Sequence, residues 1–347
     1  MFSTVSRSRK IGETAKRLNY DPKTNRENKM FKKYSLAALV LVASAATAMA
    51  DEIKLGLQPW LGYGPLWVAE QKGFFADHGI EVDLTTFSWD QDMTAALASG
   101  NLDVIAAATN GVIASYNVGL DQKGFLIMDL SFEADAIMAG NDIASVADLK
   151  GKDIAFESGS TSDLLLNYAL RQNGMSIADV NHIPMGASEA GLALISGRVE
   201  AAVTYEPYIS GALAQSDENR VLFTAAEKPG LISDMLTSSS TWIDAHPEDV
   251  RGLILAWDDA VKFIRENPEE GGAIIAEAVG SSMEEFTPAF EGVRLYTISE
   301  MAQFLGGDFQ ATIQEIGEIM AETNPEHIKQ VPAADEILAV DALMSMQ

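Results

Sequence analysis

Glu157-Ser158-Gly159-Ser160-Thr161-Ser162-Asp163 sits between a strand pattern and a helix pattern, and its residue types suit anion capture. Gly159 permits a tight turn, while the hydroxyls of Ser160, Thr161 and Ser162 converge with backbone N–H groups at the positive end of a helix. Such a site suits a sulfonate, carboxylate, nitrate or phosphate group. The same residues also make an ordinary N-cap. Thr204-Tyr205-Glu206-Pro207-Tyr208 follows a buried strand, where Glu206 could pair with an ammonium group and Tyr205 is a candidate ligand-binding residue beside it. Gln58-Pro59-Trp60-Leu61-Gly62-Tyr63-Gly64 follows the first strand pattern. There Trp60 and Tyr63 offer flat faces and polar edges to a small molecule, or pack inside their own half of the chain. Asp90 and Asn110 stand at two further strand-to-helix junctions, as ligand groups or as local caps. Glu133 and Asp135 lie between the two halves of the chain and could hold an ammonium or simply be solvated.

Enzyme signatures are thin. The four histidines, His78, His182, His246 and His327, are scattered without metal-ligand spacing. Nucleophile elbow, Walker loop and G-x-G-x-x-G fingerprint are all missing. The expectation is a binding protein without catalytic residues, metal or cofactor.

The candidate loops need a scaffold, and alternating strand and helix patterns supply an α/β one with largely parallel sheets. Strands are predicted over 53–57, 80–87, 104–108, 153–156 and 201–204. Helices are predicted over 65–72, 90–99, 146–149, 162–172 and 188–196. After about residue 233 the pattern reads as mostly helical: 247–267, 268–279, 282–291, 299–304 and 309–323. Pro247 and Pro268 suit first helical positions. An internal echo, ALASGNLD at 96–103 and ALISGRVE at 193–200, points to two related lobes with a cleft between them.

Residues 30–50 have the layout of a secretory signal peptide. Lys32 and Lys33 precede an apolar run over 36–45, and Ala48-Met49-Ala50 is a small-x-small cleavage site. Residues 1–29 read as a long basic preface or as sequence upstream of a true start at Met30. The apolar run is shorter than the roughly 20 residues a spanning helix needs. The expected product is an exported periplasmic protein, and a cleavage site without cysteine argues against a lipid anchor. Removing the ten basic and three acidic residues before Asp51 takes the formal charge from −26 to about −33. A surface this acidic excludes nucleic acid and disfavours anionic membranes. With no cysteine, the fold must rest on its hydrophobic core.

The segments QPWLGYGPLWVAEQKGFFADHGIEVDL, ASGNLDVIAAATNG, SVADLKGKDIAFESGSTSDLLLNYAL, SGRVEAAVTYEPY and HPEDVRGLILAWDDAVKFI together resemble periplasmic solute-binding proteins of ABC importers, of the nitrate/sulfonate/taurine type. The resemblance covers nearly all of 52–305. It implies a type II periplasmic-binding-protein fold, with one lobe from 51–133 and 236–347, the other from 134–235, and a hinge between them. It also implies a monomeric receptor that closes on a small ligand and docks on a permease with its ATPase. The family's ligand positions carry over onto Trp60, Tyr63, Asn110, Ser160, Thr161, Ser162 and Glu206. Thiamine-precursor synthases resemble this family too, but they use a cysteine-rich iron site that this chain cannot build. For the ligand, no candidate loop contains Arg or Lys. A taurine-like amino sulfonate is the first expectation, with pyrimidines, urea-like solutes and amines as alternatives.

Overall fold

The first strand, β1 (Ile53–Leu57), pairs in parallel with β2 (Val82–Thr86) and β3 (Val104–Ala108). Between them lie α1 (Gly64–Lys72), α2 (Phe74–Asp77) and α3 (Asp90–Ala98). β3 reads VIAAA and is buried along its whole length, the apolar run expected of a strand covered on both faces. α1 stops where the sequence demands it, because Gly73 takes φ 80° and its N–H caps Ala69 and Glu70. α4 (Thr109–Asn117) leads to β4 (Lys123–Ser131), which completes this half of the chain. The computed structural model describes residues 52–140, 142–305 and 309–346, so the expected signal peptide lies outside the described residues.

The chain then crosses through residues 132–134 into a second sheet. β5 (Asp135–Ala139) is followed by β6 (Asp153–Phe156), α5 (Thr161–Gln172), β7 (Asn181–Pro184), α6 (Ala187–Ile195), β8 (Ala201–Tyr205), α7 (Tyr208–Gln215) and β9 (Arg220–Thr224). The strand order is β7-β6-β8-β5-β9, with β6 parallel to β7 and β8, and β5 antiparallel to β8 and β9. Residues 225–232 return to the first sheet, where β10 (Ser233–Ser238) enters between β3 and β4, antiparallel to both. The two crossings touch: the Ser131 N–H donates to the Ile232 carbonyl at 3.1 Å.

Residues beyond β10 are not purely helical. α8 (Ser240–Ala245), α9 (Pro247–Glu266), α10 (Pro268–Val279) and α11 (Met283–Phe290) come first, and then β11 (Val293–Leu295) pairs with β4 at the sheet edge. α12 (Ile298–Leu305) and α13 (Phe309–Thr323) follow. β10 and β11 escape the sequence reading because SDMLTS and VRL are short and carry weak alternation. The expected boundary between residues 235 and 236 also cuts β10, whose Asp234 and Met235 are already paired with β3 and β4.

The core under the first sheet is built on α9, whose buried Val250, Leu253, Ile254, Trp257, Val261 and Ile264 repeat at helical spacing. Trp257 is fully buried, and its indole N–H finds the Tyr296 carbonyl at 2.9 Å. No helix among the described residues is long and apolar enough to cross a membrane.

Candidate functional site

Asp234 stands on β10 directly opposite Asp129 of β4 and Ala108 of β3. Like charges in directly opposed positions destabilise a sheet, and neither carboxyl reaches solvent: Asp129 is 0% and Asp234 3% exposed. The ladder slips between Asp234 and Met235, an irregularity of the kind that re-aims side chains beside functional sites. Trp60 steadies the pair by donating its indole N–H to Asp129 Oδ1 at 3.2 Å. Asp129 Oδ2 meets no donor. Gly62 makes the arrangement sterically feasible, since a Cβ there would collide with Trp60 Nε1 and the Asp129 carboxylate.

In front of this pair lies a small cavity of about 20 Å³, room for the centre of roughly one water molecule. Asp234, Asp135 and Asp90 line it, with Gln58, Thr161 and the aromatic rings of Trp60, Tyr63 and Tyr205; Ala108 and Ile232 complete the wall. Lys, Arg and His do not occur among these ten residues. The Trp60 and Tyr205 rings meet edge-to-face at 5.7 Å, one from each half of the chain. The Gln58 side chain is 7% exposed, and its Nε2 has no partner.

The carboxyl groups respond to one another. Burial pushes Asp135 up to about 7, and the Asp90 and Glu206 charges add to the rise. Burial likewise raises Asp90 to about 6. Burial raises both Asp129 and Asp234, against the Trp60 hydrogen bond on Asp129, and the opposed Asp129 charge adds to the rise on Asp234. Glu157 rises to about 8 through burial and the charge on Asp90. Its Oε1 accepts the Gln91 N–H at 3.3 Å, while Oε2 has no partner. Gln91 Nε2 also donates to the Ser158 carbonyl at 2.9 Å. The first turn of α3 is thus tied to the loop before α5, across the gap between the sheets.

Of the residues predicted from sequence, Trp60, Tyr63, Asp90, Thr161 and Tyr205 line this cavity, and so does Asp135. Asn110 and Ser160 face neighbouring hollows against α4 and α5 instead. Ser160 is the N-cap of α5, accepting the Ser162 N–H at 3.1 Å and donating to the Glu157 carbonyl at 2.9 Å. Ser162 is buried beneath it. Glu206 is buried too, but its carboxylate accepts from the N–H and hydroxyl of Ser210 at 3.0 and 2.9 Å. Those bonds stitch the start of α7, and Glu206 is not among the residues that line this cavity. Glu133 is exposed in the crossing between β4 and β5. Sequence reasoning missed Asp129 and Asp234; the available signal was a single acidic residue inside otherwise apolar stretches, FLIMDL and LISDML.

Two α/β sheets joined by adjacent crossings, with a site between strand ends and helix N-termini, define the periplasmic-binding-protein fold. The alkanesulfonate-binding protein SsuA from Xanthomonas axonopodis pv. citri, solved with MOPS, superposes with TM-score 0.69 at 18% identity over 84% of this chain and 99% of that one. The nitrate-binding protein NrtA from Synechocystis PCC 6803 gives 0.61 at 18% identity, over 84% and 92%. The NMT1/THI5-like family model matches residues 61–271, and the chain belongs to that family. A Bacillus subtilis relative named for binding aliphatic sulfonates is 30% identical over 242 residues, 68% of this chain and 72% of the relative.

Proposed function

We propose that this chain is the periplasmic substrate-binding component of an ABC importer. It captures a small nitrogen-bearing solute and delivers it, as a monomer, to an inner-membrane permease driven by an ATPase. The receptor role is supported by family membership and by relatives and structural neighbours named as binding proteins. We take residues before the 132–134 crossing and after the 225–232 return as one lobe, the residues between as the other, and the paired crossings as the hinge. Closure about such a hinge brings Trp60 and Asp90 of one lobe against Tyr205 and Thr161 of the other.

The observation that carries the ligand reading is three cavity-lining carboxylates with no basic side chain among the lining residues. Carboxylates accept hydrogen bonds, so the complementary solute end carries N–H groups: an amine, amidine, urea-like or aminopyrimidine function. A taurine-like amino sulfonate remains a second reading. Its ammonium would meet the carboxylates and its sulfonate would rest on the N-terminus of α5 at Thr161. A thermal-shift screen separates these, because a ligand that binds only the folded state raises the melting temperature. Amines, amidines, urea and aminopyrimidines are expected to shift it. Shifts with taurine and alkanesulfonates but with none of the former would favour the amino-sulfonate reading, and shifts with nitrate or simple sulfonates alone would contradict both.

A further inference from the structure

We propose that the hollow between α3 and α4 is a second subsite. It takes the apolar body of a solute whose N–H end sits at the acidic cavity, and Asn110 pairs with a polar atom of that body. This rests on the ligand reading above and adds the solute's size and a second point of recognition.

Volume is the first observation. The acidic cavity offers about 20 Å³, whereas small-molecule sites enclose about 300–1,000 Å³. The adjoining hollow offers about 370 Å³. Asp90 and Ala108 border both spaces, so a solute held at Asp90 continues directly into the larger one. Small residues keep it open: Ala95 and Ala98 of α3, Ala107 of β3, and Gly111 and Ala114 of α4. A Cβ built on Gly111 meets no heavy atom within 4 Å. Met93 adds a flexible thioether that adapts to varied apolar shapes. Gly159 and Ser160, from the loop before α5, border the same space. Such walls suit a flat ring or a short hydrocarbon chain, held because its apolar surface leaves water.

Asn110 is the second, independent observation. It is 2% exposed and borders both this hollow and its neighbour against α5. Its side-chain amide has no hydrogen-bond partner among the described residues. The alternative role, a local cap, is not the one it plays: the N-cap of α4 is Ala108, and no side chain bonds there. A buried amide without a partner costs free energy until something pairs with it. An amide both donates and accepts, so its complement is a ring nitrogen, carbonyl or hydroxyl carried on the body of the solute. A purely aliphatic amine leaves that amide unpaired, and a heteroaromatic body satisfies it.

The test is calorimetry with amidines that share one N–H end and differ only in body: acetamidine, benzamidine and the two ring-nitrogen analogues, pyridine-3- and pyridine-4-carboxamidine. Benzamidine should bind at least about tenfold tighter than acetamidine, because its ring leaves water. At least one pyridine analogue should bind tighter still, and Asn110→Ala should remove that gain while keeping the preference for a ring. Gly111→Leu fills the hollow, and leucine supports a helix better than glycine does. The ratio of benzamidine to acetamidine affinity should therefore collapse toward one without a fall in melting temperature. Ala98→Leu, from the exposed face of α3, blocks the same space from the opposite wall and should do the same. Equal affinities for acetamidine and benzamidine in the unaltered protein would overturn the subsite and leave the N–H reading intact. A preference for benzamidine that survives both leucine variants would overturn it as well. A gain from neither pyridine analogue would overturn the Asn110 pairing. Absence of binding by every amidine at about 10 mM would overturn the N–H reading and the subsite with it.

Discussion

At the residue scale the site depends on one contact, the indole N–H of Trp60 on Asp129 Oδ1 at 3.2 Å. Trp60→Phe keeps the ring and removes the donor, leaving a fully buried carboxylate oxygen bare. Losing a bond to a charged group costs about 1.5–3 kcal/mol, so the urea midpoint should fall with an unchanged slope; an unchanged midpoint would show that the bond contributes nothing. Gly62→Ala attacks the same contact sterically, with an overpacking cost of about 1–3 kcal/mol, and ligand affinity should drop with stability. Trp60 and Tyr63 were legible in the sequence because aromatics in a glycine-shaped loop after a strand have few other uses. Asp129 and Asp234 were not, since their partnership is made by antiparallel pairing of β4 with β10 across a hundred residues. Glu206 shows what local sequence does not reveal. It ends a buried strand as expected, and its carboxylate accepts two hydrogen bonds from Ser210, four residues on.

At the element scale, the cavity is where three helices begin: α3 at Asp90, α4 just after Ala108 and α5 at Thr161. Their N-terminal dipoles favour ionised carboxylates near them. Ser160→Ala removes the α5 cap and the tether to Glu157, a loss of about 1 kcal/mol in thermal or urea unfolding. Gln91→Ala removes the side-chain bond to Ser158 that joins the two halves. It should shift the free protein toward an open form, seen as a larger radius of gyration by X-ray scattering, with the ligand-bound radius unchanged. Equal radii in both states would argue that Gln91 holds no closure. The βαβ opening and the α5 junction were readable because buried strands and glycine-capped helices are locally encoded. β10 was not, because a strand inserted between two earlier strands is specified by its neighbours and not by its own pattern.

At the scale of the whole molecule, the buried carboxyls give stability an unusual slope with pH. Asp135 holds its proton to about 7 when folded, against a reference near 3.9 unfolded. The folded state therefore binds more protons between these values, and stability falls as pH rises through that window. Glu300 acts the other way: despite partial burial, bonds from Arg265 and Thr297 hold it near 2, so its contribution is lost only on strong acidification. The melting temperature of the ligand-free protein should fall between about pH 5 and about pH 8, and a bound cation should flatten that fall. A rising melting temperature across the same range would contradict the buried, proton-holding cluster.

The acidic composition of the chain, 50 Asp and Glu against 24 Lys and Arg, and the acidic cavity are separate properties. In the proposed reading it is the second that selects the solute. The most direct measurement is a crystal structure of the protein soaked with guanidinium chloride near pH 8. A nitrogen atom within about 3 Å of both Asp135 and Asp234, in the space walled by Trp60, Tyr63 and Tyr205, is the expected result. An empty carboxylate cavity, with an organic anion seated instead against Asn110 and Ser160 after soaking with taurine, would contradict it.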